Sequence, residues 1–197
     1  MPGRRSLLLA LIGLLAGCGE AVPSFHATNL GQHSKTEDFA AKLHNFYGRP
    51  QNLADFRGKL VILFFGYTTC PDICPSALAK YAALLRQPGI SAQEVQVVFV
   101  TLDPARDSAA RLAEYLTWFD PSFIGLRGDA QSTAAVARQF RITATRKDIP
   151  GSMGYVLDHS AGAYVIDRRG QTRLYLSENA KIDEIADDLR ILLAEKP

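Results

Sequence analysis

Apolar residues fall along this chain in short unbroken runs and in helical stripes, and their order predicts an α/β fold. Residues 60–65 read Leu60-Val61-Ile62-Leu63-Phe64-Phe65, with no polar position among them. Such a run is too short for a buried helix and shows no alternation, so it suits a central strand covered on both faces. Leu78, Tyr81, Ala82 and Leu85 then recur at i, i+3, i+4 and i+7, with Pro75 suited to the first turn and Gln87-Pro88-Gly89 to the end. Residues 95–102, rich in β-branched side chains, give a second strand and with it a parallel β-α-β unit. Ala109, Leu112, Ala113 and Leu116 stripe the next helix, and a short strand at 123–126 with a helix around 131–140 completes a further repeat.

The rest of the chain reads differently. Residues 141–155 are polar and broken by Pro150, Gly151 and Gly154, which predicts an exposed loop or hairpin suited to contact a partner. Residues 156–160 approach a strand at 163–167 that turns at Arg168-Arg169-Gly170 into another at 172–176. Ile182, Ile185, Ala186, Leu189 and Leu193 face the last helix inward. A β-α-β half followed by a β-β-α half is a thioredoxin-like layout, a central mixed sheet flanked by helices. An N-terminal hairpin over residues 43–53, turning at Gly48-Arg49-Pro50, and an inserted helical unit are added to it.

The first residues belong to a different physical class. Arg4 and Arg5 precede an apolar stretch from Leu7 to Ala16, too short to span a bilayer comfortably, and small residues follow. Leu15-Ala16-Gly17-Cys18 resembles the lipobox of bacterial lipoproteins, which implies a signal peptide over residues 1–17 and a lipid-modified Cys18 at the new N-terminus. Residues 18–41 are polar without a clear period and read as a membrane tether, leaving residues 42–197 as the folded domain. Twenty-odd residues reach roughly 70 Å extended and about 25 Å if flexible, so the domain would stay near the membrane. These features place the chain in the bacterial cell envelope, facing the periplasm. Without Arg4 and Arg5 there are 20 basic against 20 acidic residues, a balance that argues against nucleic acid as a partner. A single domain is expected from 197 residues that are 47% hydrophobic, and a monomer is favoured although no residue fixes the oligomeric state.

Chemistry concentrates where the first strand ends. Gly66-Tyr67-Thr68-Thr69 leads into Cys70-Pro71-Asp72-Ile73-Cys74-Pro75, with Gly66 letting the backbone turn. Both thiols then sit at a helix N-terminus, where free N–H groups and the helix dipole favour thiolate. With Cys18 carrying lipid, Cys70 and Cys74 are the remaining thiols, and a structural disulfide is the plain alternative. Asp103-Pro104-Ala105-Arg106-Asp107 lies at the carboxyl end of the second strand, the edge at which sites gather in open α/β sheets. Asp107 or Ser108 could equally cap the following helix. His159 precedes the strand that, in a thioredoxin-like fold, enters beside the cysteine loop, where a thiol oxidoreductase carries a cis-proline. Two thiols and an imidazole form a donor set for copper, thiolates for Cu(I) and imidazole for either common oxidation state. His26, His33 and His44 read as surface residues.

Three segments then carry a resemblance: residues 64–75, Thr101-Leu102-Asp103-Pro104-Ala105-Arg106-Asp107, and Asp158-His159-Ser160 are similar to those of the Sco/SenC family, in order and on the expected elements. The likeness spans roughly residues 40 to 195. It implies a membrane-tethered thioredoxin-fold metallochaperone that binds copper through Cys70, Cys74 and His159. Its expected partner is the copper-receiving subunit of cytochrome c oxidase, or another copper chaperone, with delivery to the oxidase's binuclear copper centre. Asp158, Asp103 and Asp107 are candidates for supporting positions. Thr69 stands where many members have a histidine, which removes any auxiliary ligand there. Two other roles use the same residues: an enzyme in which Cys70 and Cys74 act as a redox pair on partner disulfides, and a copper or redox sensor. A peroxiredoxin fits less well, since its threonine would fall at Tyr67.

Overall fold

The computed structural model describes residues 24–31, 38–39, 41–151 and 154–196. The expected signal peptide and Cys18 lie outside these residues, and none of the described helices is long and apolar enough to cross a membrane. Among the described residues, ten strands and four α-helices, with one 3-10 turn at Leu53–Phe56, follow in chain order: β1 Thr28–Asn29, β2 Leu43–Asn45, β3 Pro50–Gln51, β4 Leu60–Gly66, α1 Ile73–Leu84, β5 Val95–Thr101, α2 Ala109–Phe119, β6 Ile124–Arg127, α3 Ala130–Gln139, β7 Ala144–Asp148, β8 Tyr155–His159, β9 Ala163–Ile166, β10 Thr172–Leu176 and α4 Ile182–Ala194. Eight strands form one mixed sheet in the order β1-β10-β9-β4-β5-β6-β2-β3, while β7 and β8 form a separate two-stranded hairpin.

β4 and β5 pair in parallel at the centre, Leu60 opposite Val95 through Gly66 opposite Thr101. Every residue of both strands is buried, which is why neither shows polar alternation. Side chains alternate between two cores. Leu60, Ile62 and Phe64 pack with Val95, Val97 and Phe99 under α1, α2 and α4. Val61, Leu63 and Phe65 pack with Val98 and Val100 under α3 and beside Phe39, Leu53 and Phe56. A rigid slab buried on both faces thus ends at Gly66, and the site begins there.

The segment expected to be tether departs from that expectation in its described part. Thr28 and Asn29 add to the sheet edge opposite Tyr175 and Leu174. Phe25 and Ala27 pack against the first core, and the backbone N–H groups of His26 and Ala27 donate to buried Asp188 at 2.9 and 2.8 Å. A two-residue edge strand with both residues exposed is too short to show a period. At the other edge the expected N-terminal hairpin forms as β2 and β3, with Gly48 in the left-handed region at φ 77°. His26 and His44 are exposed, as a surface role requires.

Candidate metal centre

Cys70 and Cys74 are placed by the buried end of β4 and the first turn of α1. Cys74 sits on that first turn, fully buried, while Cys70 in the loop is half-buried. Gly66 has a different job from the turn expected of it, since its φ lies outside the left-handed region. A Cβ there would stand 2.6 Å from Cys74 Sγ and 2.9 Å from Phe99 Cε2. Gly66 is therefore the cavity into which the inner sulfur fits.

His159 ends β8, and its Nε2 lies 3.7 Å from Cys74 Sγ. Its Nδ1 is 2.9 Å from the Ser160 carbonyl oxygen. A carbonyl only accepts, so Nδ1 carries the proton and Nε2 turns its lone pair toward the sulfurs. The ligand atoms of Cys70, Cys74 and His159 all lie within 4.8 Å of one another. Two donors 3.7 Å apart are spaced for one ion bonded to both at first-row lengths, about 2.0–2.3 Å in zinc sites.

The two thiols differ in acidity. The Cys70 thiol is pulled down to about 3, foremost by the hydrogen bond from Cys74, with the Asp72 backbone assisting against the opposing pull of burial. Cys74 is pushed up by the same bond, in which it is the donor, and by burial. The pair is one half-buried thiolate solvated by one buried thiol.

The Asp103–Asp107 segment braces both halves of this cluster. Asp107, fully buried, accepts from Thr68 N–H at 3.1 Å, Thr68 Oγ1 at 2.6 Å and Thr101 Oγ1 at 2.5 Å, which fixes the cysteine loop to the end of β5. Ser108 Oγ, rather than Asp107, caps α2 by accepting from Arg111 N–H at 3.2 Å. Arg111 Nε donates to Thr68 Oγ1 at 2.6 Å. Asp103 reaches the other half: Tyr155 Oη donates to its two oxygens at 2.9 and 3.0 Å. Arg106 pairs with Asp103, lies 3.5 Å over the Tyr155 ring and donates to the Tyr155 carbonyl at 3.0 Å. Leu157 N–H donates to Tyr67 Oη at 3.1 Å.

These contacts resolve the residues considered from sequence. Cys70, Cys74 and His159 are brought together, and Asp103 and Asp107 hold the elements that carry them. Asp158 makes no hydrogen bond to the cluster among the described residues: it is exposed and accepts from Lys147 Nζ at 2.6 Å on the outer face of the hairpin. Tyr155, Tyr67, Thr68 and Arg111 do positioning work that sequence reasoning had not assigned them. A signal for Tyr155 existed, because Tyr155, Leu157 and His159 recur with the two-residue period of a strand face.

A family model described as SCO1/SenC matches residues 28–194. The chain belongs to the SCO1/SenC family. A mitochondrial SCO2 homolog of Bos taurus is 36% identical over 207 residues, covering 96% of this chain and 76% of the relative. Among solved structures, ScoI of Arabidopsis thaliana with copper bound is 29% identical with a TM-score of 0.73, over 81% of this chain and 98% of that one. ScoI of Bradyrhizobium japonicum with copper bound is 33% identical with a TM-score of 0.70, over 81% of this chain and 99% of that one. The SCO1/SenC match takes in all three candidate ligands and begins at β1, the strand that sequence reasoning had left in the tether.

Proposed function

We propose that this chain is a copper metallochaperone that binds one copper ion through Cys70 Sγ, Cys74 Sγ and His159 Nε2 and hands it to the binuclear copper centre of cytochrome c oxidase during assembly. The observation that carries the reading is the convergence of two sulfurs and an oriented imidazole within 4.8 Å. Copper-bound relatives that share the fold support the choice of metal. Copper here is cargo. Two thiolates suit Cu(I), and three donors leave a side open for an incoming thiolate or imidazole.

The chain's own residues shape uptake and release. Cys70 is already thiolate, so loading requires only the Cys74 proton to leave for solvent. Transfer to the recipient is then ligand exchange, each incoming donor replacing Cys70, Cys74 or His159, with no electron moved. The acidity of Cys70 also weighs the competing role, a reductase of partner disulfides. A thiol at about 3 is a weak nucleophile and a good leaving group. The mixed disulfide it would form with a partner is thus easily reversed. Reductase chemistry is the second reading, and copper transfer uses the pair better.

The leader and Cys18 support a lipid anchor, with the domain held at the bacterial envelope on the periplasmic side. Cys18→Ser should release the protein into the soluble fraction on cell fractionation with the domain still folded. The copper assignment is tested by anaerobic Cu(I) titration of the reduced chain against a competing chelator. One ion per chain is expected, and unchanged affinity in the Cys70→Ser, Cys74→Ser double variant would overturn it.

A further inference from the structure

The β7–β8 hairpin does more than hold His159, because its inner face forms one wall of a groove. Leu157 of β8 and Leu102 at the end of β5 meet Ala134 and Ile142 there, around a volume of about 360 Å³. Binding pockets span roughly 300–1,000 Å³, so this space takes one or two apolar side chains and not a whole domain. Its charged lining residues are Arg138 and Arg146, and no carboxylate lines it. Arg138 is exposed and forms no ion pair among the described residues. Arg146 is paired with Asp148 at 2.8 Å and stacks 3.9 Å from the Tyr155 ring, so part of its charge is spent locally.

Place decides what such a groove is for. Leu157 and His159 lie two residues apart on the same face of β8, and Leu157 N–H is tied to Tyr67 three residues before Cys70. A partner that exchanges a ligand at Cys70 must come within bonding distance of the sulfur and has to rest on surface beside it. Other grooves lie elsewhere: one is lined by His26, Tyr175 and Asp188, another by Lys42, Pro50 and Asp55, on elements that carry no ligand.

We propose that the groove between α3 and the β7–β8 hairpin seats an acidic segment of the copper-exchange partner, anchored by an apolar side chain, beside the metal-binding cluster. The proposal rests on the copper-transfer reading and adds the face on which transfer occurs. An apolar floor supplies desolvation at the centre, and an unpaired arginine at the rim supplies steering of an oppositely charged segment.

Two variants probe it without replacing a ligand or a residue that supports one. Ala134→Trp fills the groove, and Arg138→Glu reverses the rim charge; both positions are exposed on α3, so neither disturbs the core. The full-length chain, detergent-solubilised and loaded with Cu(I), is mixed with the soluble copper-binding domain of the oxidase subunit. Metal movement is followed at low and moderate salt. Both variants should bind copper as the native chain does and transfer it about tenfold more slowly, with the salt dependence flattened in Arg138→Glu. Native transfer rates in both variants would overturn the proposal while leaving the copper reading intact. A native chain that does not bind Cu(I) would overturn both. Normal transfer combined with lost binding to phosphatidylglycerol vesicles would also overturn it, and would assign the groove to an anionic membrane surface.

Discussion

The two halves of the metal-binding cluster are built on opposite principles. The cysteine half grows out of β4, seven residues long and buried throughout, and its inner sulfur fills a space left by Gly66. The histidine half ends a two-stranded hairpin outside the main sheet, and all five residues of β7 are exposed. Packing, with Asp107 holding Thr68 and Thr101, fixes the first, and the second rests on Leu157 against the second core and on a few polar contacts: Tyr155 to Asp103, Arg106 to Tyr155, Leu157 to Tyr67. Close-packed cores do not deform gradually, whereas a hairpin held by hydrogen bonds opens locally at low cost. A cargo site benefits from the pairing. The thiol pair keeps its geometry, and the imidazole can withdraw when another ligand arrives.

Substitutions on the cysteine half should therefore damage fold and metal binding together. Gly66→Ala is expected to have the largest effect, since its Cβ would meet Cys74 Sγ and Phe99 inside a full core. Overpacking of this kind costs about 1–3 kcal/mol. Chemical denaturation should show that loss, and Cu(I) titration a parallel fall in affinity. Native stability combined with native copper affinity would mean that the close approach of Gly66 and Cys74 has no structural weight.

His159→Ala is the converse. It should weaken copper binding by more than the roughly 10–100-fold lost with outer partners of a metal ligand, and leave the denaturation midpoint in place. It also separates the two functions, because disulfide exchange is carried by the two thiols, to which a nearby imidazole adds only tuning. Oxidase assembly should fail in cells that carry the variant while disulfide reduction by the purified protein largely persists. Rescue of the oxidase despite weak copper binding would favour the reductase.

Acid titration separates the halves in a third way. Cys70 is depressed from its ordinary 9.0 to about 3, so the stability its thiolate contributes to the metal-free protein is fully present above 9 and is lost as pH falls through about 3. Ultraviolet absorbance of the reduced, metal-free chain should show one thiolate persisting to that pH. Cys70→Ser should abolish it, since Cys74 is held as a thiol by burial.

Much of the cysteine half was legible in the sequence and less of the hairpin half was. Burial on both faces erases polar alternation, so the apolar runs of β4 and β5 announced a central parallel pair without ambiguity. The thiols and His159 were legible through residue type, place and the family resemblance. Residues 141–155 gave only a loop or hairpin, because Ala144–Asp148 is exposed at every position and no periodicity survives where nothing is buried. β1 was missed for the same reason. Gly66 was read as a turn residue because sequence shows a missing side chain and not what fills its space. Asp158, next to His159 in sequence, was a candidate to orient it; adjacency on a strand means the opposite face, and it is Tyr155, four residues away, that ties the strand to Asp103.

Tyr155→Phe tests that reassignment and should have a smaller effect than removing the ligand. It deletes one hydroxyl that donates to Asp103, a bond to a charged group of the kind worth about 1.5–3 kcal/mol, while keeping the ring under Arg106. Copper affinity should fall about tenfold at most, with a shift in the Cu(II)-thiolate absorption as the imidazole loses its fixed approach. Hydrogen exchange should quicken in β7 and β8 and remain native in β4. Faster exchange spread through β4 and β5 would mean that the hydroxyl supports the whole fold and not the hairpin.

Asp158→Asn should have the smallest effect, and its smallness is informative. The carboxylate lies on the solvent face of β8, and the hydrogen bond from Lys147, itself exposed, holds its pKa below the usual carboxylate range. Ion pairs between two exposed partners contribute little once solvent and salt screen them. The Nδ1 proton of His159 already goes to the Ser160 carbonyl, so the imidazole needs no carboxylate to choose its tautomer. Copper affinity, absorption spectrum and denaturation midpoint of Asp158→Asn should match those of the native chain at moderate salt. A changed Cu(II) spectrum with an unchanged midpoint would show that Asp158 reaches the ligand when metal is bound, and that the hairpin rearranges more on loading than its contacts with Asp103, Arg106 and Tyr67 allow.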